Sequence, residues 1–261
     1  MKNVIAVCAV VLMLSSMALA TDVAGWDDFV IRQGGGASPA INDITFEGTT
    51  PAKEFVISVG GMKAAWGTDK INGATVGEIT ELTIDRLNPT LPQINAPYFN
   101  IWITDGAGKF AVIANEPSNA EWTGDSEWNI TGWSVLSGKT LKVYETYGAS
   151  NAVVVADRNK SWVHELIGKV GSNLTFADVA GITIQAPTVA ELTTGWTGLS
   201  GGAPRELGTN KAYGFNWIFG DTLNNYVSGG AGYIVANPTA VPEPLTIALL
   251  GLGGLMLRRK K

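Results

Sequence analysis

Sulfur and imidazole side chains are almost absent from this sequence. The chain has one cysteine, Cys8, and one histidine, His164. A zinc site needs several such ligands, and a serine or cysteine protease needs a histidine beside its nucleophile. A phosphate-binding loop and a dinucleotide fingerprint are missing as well. These absences argue against a zinc enzyme, a triad protease and a nucleotide-binding protein.

Positive charge is scarce outside the two ends of the chain. The sequence has 18 basic and 23 acidic residues and a net charge of −5, and five of the basic residues are Lys2 and the cluster at 258–261. The remaining body is therefore more acidic than the total implies, and it has no basic stripe. This composition argues against nucleic acid and anionic lipid headgroups as partners.

The first 20 residues have the features of an export signal. Lys2 precedes an apolar stretch from Val4 to Leu14, and Ala18 and Ala20 provide the small side chains that signal peptidase requires. We predict a signal peptide at residues 1–20 with cleavage after Ala20; an uncleaved anchor is the alternative. Cys8 leaves with this segment, so the exported body would have no disulfide and would depend on packing and hydrogen bonds.

The C-terminus combines three unlike elements. Val241-Pro242-Glu243-Pro244 is followed by an apolar run from Leu245 to Leu257. The prolines keep their segment extended and out of a helix or ladder, which leaves it open to a protease cleft. A helix over residues 245–257 would be about 20 Å long, against a hydrocarbon core of about 30 Å. We therefore expect a linker from residue 237 and a short, transient transmembrane segment; a buried core helix is the alternative. The cations that would stop transfer are Arg258, Arg259, Lys260 and Lys261.

This tail resembles the PEP-CTERM sorting signal of bacterial exported proteins. The matching parts are Val241 to Pro244, the glycine-rich apolar stretch at 249–254 and the basic end. Many members have Ser or Thr directly after the second proline, whereas this chain has Leu245 and then Thr246. The resemblance implies recognition and removal of the tail by a membrane protease of the exosortase type. It also implies a place at the cell surface or in an exopolysaccharide or biofilm matrix.

The body, residues 21–236, has the pattern of an all-β protein. About ten short runs with strand character are separated by Gly, Asn and Asp turns. The clearest is a hairpin with strands at 98–103 and 109–114 and a turn at 105–108, and residues 140–147 alternate as a half-buried strand. One helix is predicted at Asp157–Val170, with His164 on its solvated side. We expect an antiparallel β-sandwich, a jelly roll first and another two-layer sandwich second. The stretches 97–106 and 213–222 also resemble uncharacterised exported proteins of the PEP-CTERM group, which have no assigned chemistry.

Aromatic and acidic residues supply the candidate sites. Trp122, Trp128 and Trp133 lie in a polar stretch with Asp125 and Asn129, and such rings can stack on sugars. The alternative is that these tryptophans belong to the core. Glu81 with Asp85, or Glu145, could supply glycosidase carboxylates, but the Glu-x-Asp-x-x-Glu pattern of sandwich glucanases is missing.

Asp69 and Asn72 could form either a weak structural calcium loop or an Asx turn, and we favour the turn because the acidic spacing of an EF-hand is missing. No other cofactor is expected. We therefore predict an exported, non-catalytic matrix or surface protein with polysaccharide as its ligand; a structural matrix component without a ligand, or a carbohydrate-active enzyme, is the alternative.

Overall fold

The computed structural model describes residues 23–88, 97–115, 122, 128–146, 160–193, 204–220 and 232–243. The predicted signal peptide with Ala18 and Ala20 lies outside these ranges. Asp125 and the tail from Pro244 through Arg258, Arg259, Lys260 and Lys261 lie outside them too. None of the helices in the described ranges is long and apolar enough to cross a membrane.

The described chain is built mainly from strands. In chain order they are β1 (Asp27–Arg32), β2 (Ala40–Phe46), β3 (Thr50–Val56), β4 (Lys63–Thr68), β5 (Ile79–Arg86), β6 (Tyr98–Thr104), β7 (Phe110–Ala114), β8 (Asn129–Thr131), β9 (Thr140–Thr146), β10 (Leu174–Thr175), β11 (Thr183–Ile184), β12 (Phe215–Phe219) and β13 (Tyr233–Pro242). The first sheet has the order β1-β4-β12-β6-β7-β9-β10, with β11 pairing on β6, and the second has the order β2-β3-β13-β5-β8. All pairings are antiparallel.

The two sheets pack face to face around an aromatic core. Phe55 of the second sheet stacks on Phe219 of the first with ring centroids 3.9 Å apart. Strand alternation places Phe215, Trp217 and Phe219 on the inner face of β12, where all three are fully buried. The predicted all-β, two-layer antiparallel sandwich is therefore confirmed at this level.

The predicted hairpin is confirmed. β6 and β7 pair from Asn100 with Ala114 to Thr104 with Phe110. The carboxylate of Asp105 accepts hydrogen bonds from the backbone N–H groups of Ala107 and Lys109, at 2.8 and 3.0 Å. Gly106 and Gly108 have positive φ, as a tight turn requires. The strand predicted at 140–147 is also present, as β9.

The helical content differs from the prediction of one helix at Asp157–Val170. The described residues contain short helices at Trp133–Leu136, Trp162–Ile167 and Val189–Thr193, and a 3-10 turn at Val76–Glu78. The middle helix starts only after Ser161, whose hydroxyl caps it, and ends at Gly168, which adopts the left-handed conformation. The prediction that His164 is solvated is wrong: it is 2% exposed, and its Nδ1 lies 2.7 Å from the Ser161 hydroxyl oxygen.

The last strand runs further than the sequence indicates. We placed the end of the body at residue 236, but β13 continues to Pro242, and Pro238 and Ala240 are buried. Asn237 has a positive φ of 48°, and the register with β5 shifts between Ala236 and Thr239. This bulge accommodates Pro238, and the strand pairs with β5 again from Thr239. Residues 237–242 therefore belong to the sheet and not to a linker.

Candidate functional site

A polar groove lies on the outer face of the second sheet. It has a volume of about 360 Å³ and is lined by Glu81, Thr83, Ile84, Asp85, Arg86, Trp128, Asn129 and Thr131. We call this set the β5–β8 groove. The two strands are paired with Glu81 opposite Thr131 and Thr83 opposite Asn129. Period-two alternation turns Glu81, Thr83 and Asp85 outward on β5, while Leu82, Ile84 and Ile130 point into the core and are buried.

Hydrogen bonds to the neighbouring strand β13 position both carboxylates of the groove. Glu81 Oε1 accepts hydrogen bonds from the hydroxyls of Thr83 at 3.1 Å and Thr239 at 3.2 Å. Asp85 Oδ2 accepts one from the side-chain amide of Asn237 at 2.8 Å. Each carboxylate therefore has a fixed partner on its own or the adjacent strand. Both residues line the groove, and a carboxylate has capacity to accept further hydrogen bonds.

The floor of the groove is aromatic and cationic. The guanidinium carbon of Arg86 lies 5.4 Å from the centre of the Trp128 ring and 5.8 Å from that of Tyr233. Burial raises the pKa of Tyr233, and the positive charge of Arg86 opposes part of that rise. Tyr233 is thus neutral at physiological pH, and the cation lies between two ring faces. The groove offers carboxylates, hydroxyls and an amide above a partly covered indole.

The two carboxylates are far apart along one strand. Glu81 and Asp85 are separated by four residues of β5, and a strand rises about 3.3 Å per residue, which puts their Cα atoms about 13 Å apart. Glycosidases use carboxyl groups about 5 to 10 Å apart. The Cα spacing of this pair is wider than that range. The backbone of Glu145 lies in β9 of the other sheet.

The three tryptophans predicted to stack on sugar do not form a platform. Trp122 is fully buried and packs edge-on against Phe99 and Phe176, and its indole N–H donates to the carbonyl of Thr140 at 2.8 Å. Trp128 is 7% exposed and is one of the residues that line the groove. Trp133 is half-buried against the same core. The large apolar area of these rings places them inside despite their polar neighbours in sequence.

The Asp69 loop is a structural turn. Asp69 Oδ1 accepts hydrogen bonds from the Asn72 side-chain amide at 3.0 Å and from the Gly214 N–H at 2.9 Å. The backbone N–H of Asn72 donates to the Asp69 carbonyl at 3.0 Å. These bonds tie the loop to the start of β12. Across the described ranges, no group of three His, Cys, Asp or Glu side chains is placed to hold a metal ion.

The first residues of the predicted sorting motif lie at the end of β13. Val241 pairs with Glu81 and Pro242 with Ile79. The Thr80 hydroxyl donates to the Val241 carbonyl at 2.9 Å, and the Glu243 N–H donates to the Glu78 carbonyl at 2.5 Å. We call these two hydrogen bonds the motif contacts. Glu81 therefore belongs to the groove and to the strand pairing of the motif: its side chain lines the groove, and its backbone pairs with Val241.

Sequence reasoning found Glu81, Asp85, Trp128 and Asn129 but missed the rest of the groove. Thr83 belongs to the alternating outer face of β5, a pattern that is visible in the sequence. Asn129 and Thr131 lie on a three-residue strand too short to show any periodicity. Arg86, Asn237 and Thr239 come into place only through pairing between distant strands. No family model, no curated protein and no solved structure matches the chain.

Proposed function

We propose that this protein is an exported surface or extracellular-matrix protein whose body binds polysaccharide without cleaving it. The tail pattern carries the proposal for export and sorting: a Pro-Glu-Pro motif, a short apolar run and four terminal cations in that order. An exosortase-type protease and signal peptidase are the processing partners. The membrane contact is transient, and the processed protein resides at the surface or beyond it.

The β5–β8 groove carries the proposal for binding. Sugar hydroxyls pair well with carboxylate, amide and threonine side chains, and the groove presents Glu81, Asp85, Asn129 and Thr131 on one open sheet face. This site replaces the tryptophan platform expected from the sequence, because Trp122 and Trp128 lie in the core. The distance between the two carboxylates supports a non-catalytic role.

The binding test uses the exported protein on a glycan array or in polysaccharide-containing native gels. Asn129→Ala and Asp85→Ala each remove a hydrogen-bonding group, and we expect about five-fold weaker retention for each, since one hydrogen bond contributes about 1 kcal/mol. Glu165→Gln is the matched control, because Glu165 is an exposed acidic residue on the helix at Trp162–Ile167. Retention that is equal in all variants, or absent from the wild-type protein, would reject binding at this groove.

A structural matrix component without a ligand is the second candidate. The burial of Trp122 and Trp128 favours it, because it removes the aromatic surface that a sugar-binding face commonly uses. Absence of glycan retention together with normal sorting would support this candidate.

The sorting test is mass spectrometry of the exported protein. We expect a mature chain that begins at Thr21 and lacks Arg258, Arg259, Lys260 and Lys261. A tail retained in the exported form would contradict processing.

Among sandwich topologies, we propose a jelly-roll relation. The chain alternates between sheets from β3 through β4 and β5 to β6, and the β6–β7 hairpin then stays within one sheet; this connection pattern supports a jelly roll.

A further inference from the structure

The end of β13 is paired along one side. β3 pairs with β13 only from Tyr233 to Val235, whereas β5 pairs with it from Val235 to Pro242. Pro238 and Pro242 both lie beyond the part that β3 covers. A proline has no N–H to donate, so a strand segment with one partner is where a sheet accommodates it. The first half of the sorting motif is thus the terminal part of a strand held by β5 alone among the described strands.

The motif contacts occupy the main chain that a protease would need. A protease cleft binds its substrate as an extended strand through main-chain hydrogen bonds. In the folded body, the Val241 carbonyl already accepts from Thr80 and the Glu243 N–H already donates to Glu78. Two residues before Val241, the hydroxyl oxygens of Thr239 and Thr83 lie 2.5 Å apart on directly opposed positions. A cleft that encloses the motif has to displace these bonds.

We propose that the folded sandwich clamps Val241 to Glu243 against Glu78 to Thr80, and that release of this strand end from β5 sets the rate at which the tail is removed. The inference rests on the proposed sorting function. Local opening of a strand end requires far less free energy than global unfolding, because few bonds break and little apolar surface is exposed. Processing thereby depends on a local equilibrium of the body and not on the tail sequence alone.

A loosened variant tests one direction. Thr80→Val keeps the shape of the side chain and removes its hydrogen bond to Val241. We expect tail removal about two- to five-fold faster in pulse–chase measurements on intact cells, since an exposed hydrogen bond contributes at most about 1 kcal/mol. Thr45→Val is the matched control: Thr45 is an exposed threonine on β2 of the same sheet. We expect its rate to equal that of the wild-type protein.

A locked variant tests the other direction. Thr83→Cys with Thr239→Cys would join β5 to β13 by a disulfide, because the two hydroxyls already touch and the body contains no other cysteine. We expect tail removal to slow at least about ten-fold, and to recover when the disulfide is reduced. Each single cysteine variant loses the contact between the two hydroxyls but gains no disulfide, so it should process at least as fast as the wild-type protein. Hydrogen exchange at residues 239–243 in the full chain should rise in Thr80→Val and fall in the locked variant.

The outcomes separate the two proposals. Equal rates of tail removal in the loosened, locked and wild-type proteins would overturn the clamp and leave the sorting function in place. A tail that stays intact in all of them would overturn the sorting function and the clamp with it. Faster removal in the locked variant would also overturn the clamp, because it would make the paired strand the form that the protease prefers.

Discussion

At the scale of single residues, Lys53 is the clearest buried charge. Its side chain is 4% exposed, and its Nζ lies 2.6 Å from Asp28 Oδ1 and 2.7 Å from Asp43 Oδ1. Asp28 lies in β1 of one sheet, and Asp43 and Lys53 lie in the other, so the cation ties the edges of the two sheets together. Burial lowers the pKa of Lys53, but the hydrogen bonds to both carboxylates outweigh that effect, and the pKa is raised above its ordinary 10.5.

Lys53→Met should therefore destabilise the body by about 1–3 kcal/mol at pH 7, because two carboxylates lose their cation. A raised folded-state pKa stabilises the protein fully below pH 10.5, and that contribution is lost as the pH rises through the folded-state value. The stability difference between wild type and variant should shrink above that pH in urea unfolding. Lys169→Met, which breaks the exposed pair with Asp178, is the control and should change stability by under about 1 kcal/mol. Equal losses for both variants would contradict the role given to Lys53.

Gly67 is required by close packing within β4. A Cβ at this position would lie 2.5 Å from Asn216 Oδ1 and 2.9 Å from the Tyr213 Cβ. Gly67→Ala should destabilise the protein by about 1–3 kcal/mol, because the central strand β12 would have to shift. Gly138→Ala is the matched control, since a Cβ there meets nothing within 4 Å. Thermal unfolding of the two variants measures the difference, and similar melting temperatures would contradict the packing argument.

At the scale of elements, the turn of the β2–β3 hairpin places Glu47 in a backbone conformation that glutamate disfavours. Glu47 and Gly48 have φ values of 51° and 74°, and the Thr49 N–H donates to the Phe46 carbonyl at 3.2 Å, which is the arrangement of a type I′ turn. Glutamate is unfavourable at positive φ, and asparagine tolerates it. Glu47→Asn should raise the free energy of unfolding by about 0.5–1 kcal/mol. Glu47→Gln, which removes the charge but not the strain, should leave it unchanged; an equal gain would assign the effect to charge.

The elements that sequence predicts well are those fixed by local chemistry. The β6–β7 hairpin follows from an apolar run, a glycine turn and a second apolar run, all within 17 residues from Tyr98 to Ala114. β4 was missed because Lys63-Ala64-Ala65-Trp66-Gly67 has neither alternation nor branched side chains. Its strand conformation depends on burial between β1 and β12. Asn237 to Pro242 were interpreted as a linker because prolines usually end a strand, and one-sided pairing with β5 removes that objection.

The candidate site likewise combines residues that local sequence patterns identify with residues that only the pairing of distant strands brings in. Glu81 and Asp85 were recognised as carboxylates on one strand, and Trp128 as an aromatic near polar residues. Their neighbours Asn129 and Thr131 come from a segment far along the chain that pairs with β5, and no local pattern predicts that register. The sequence also understates how many tryptophans belong to the core, because sequence neighbours do not show which side chains meet in space. Trp122 is surrounded by polar residues in sequence, while in space it contacts Phe99 and Phe176.

At the scale of the whole molecule, the extent of the body is testable by truncation. A chain ending after Glu243 retains every described pairing of β13, whereas a chain ending after Ala236 loses the bonds from the Thr83 N–H to the Thr239 hydroxyl and from the Thr80 hydroxyl to the Val241 carbonyl. We expect the shorter chain to be less stable by at least about 3 kcal/mol, because several hydrogen bonds and two buried residues are removed. Urea unfolding of the two chains compares them directly. Equal stability would restore the boundary at residue 236.

The middle strand of the five-stranded sheet is also the last of the described strands along the chain. β3 and β5 flank a position that stays vacant until residues 233–242 have emerged. A chain that leaves a ribosome or a translocation pore N-terminus first must therefore carry two unmatched strand edges until β13 has been made. Closure of this sheet is a late event, because it waits for the ten residues of β13.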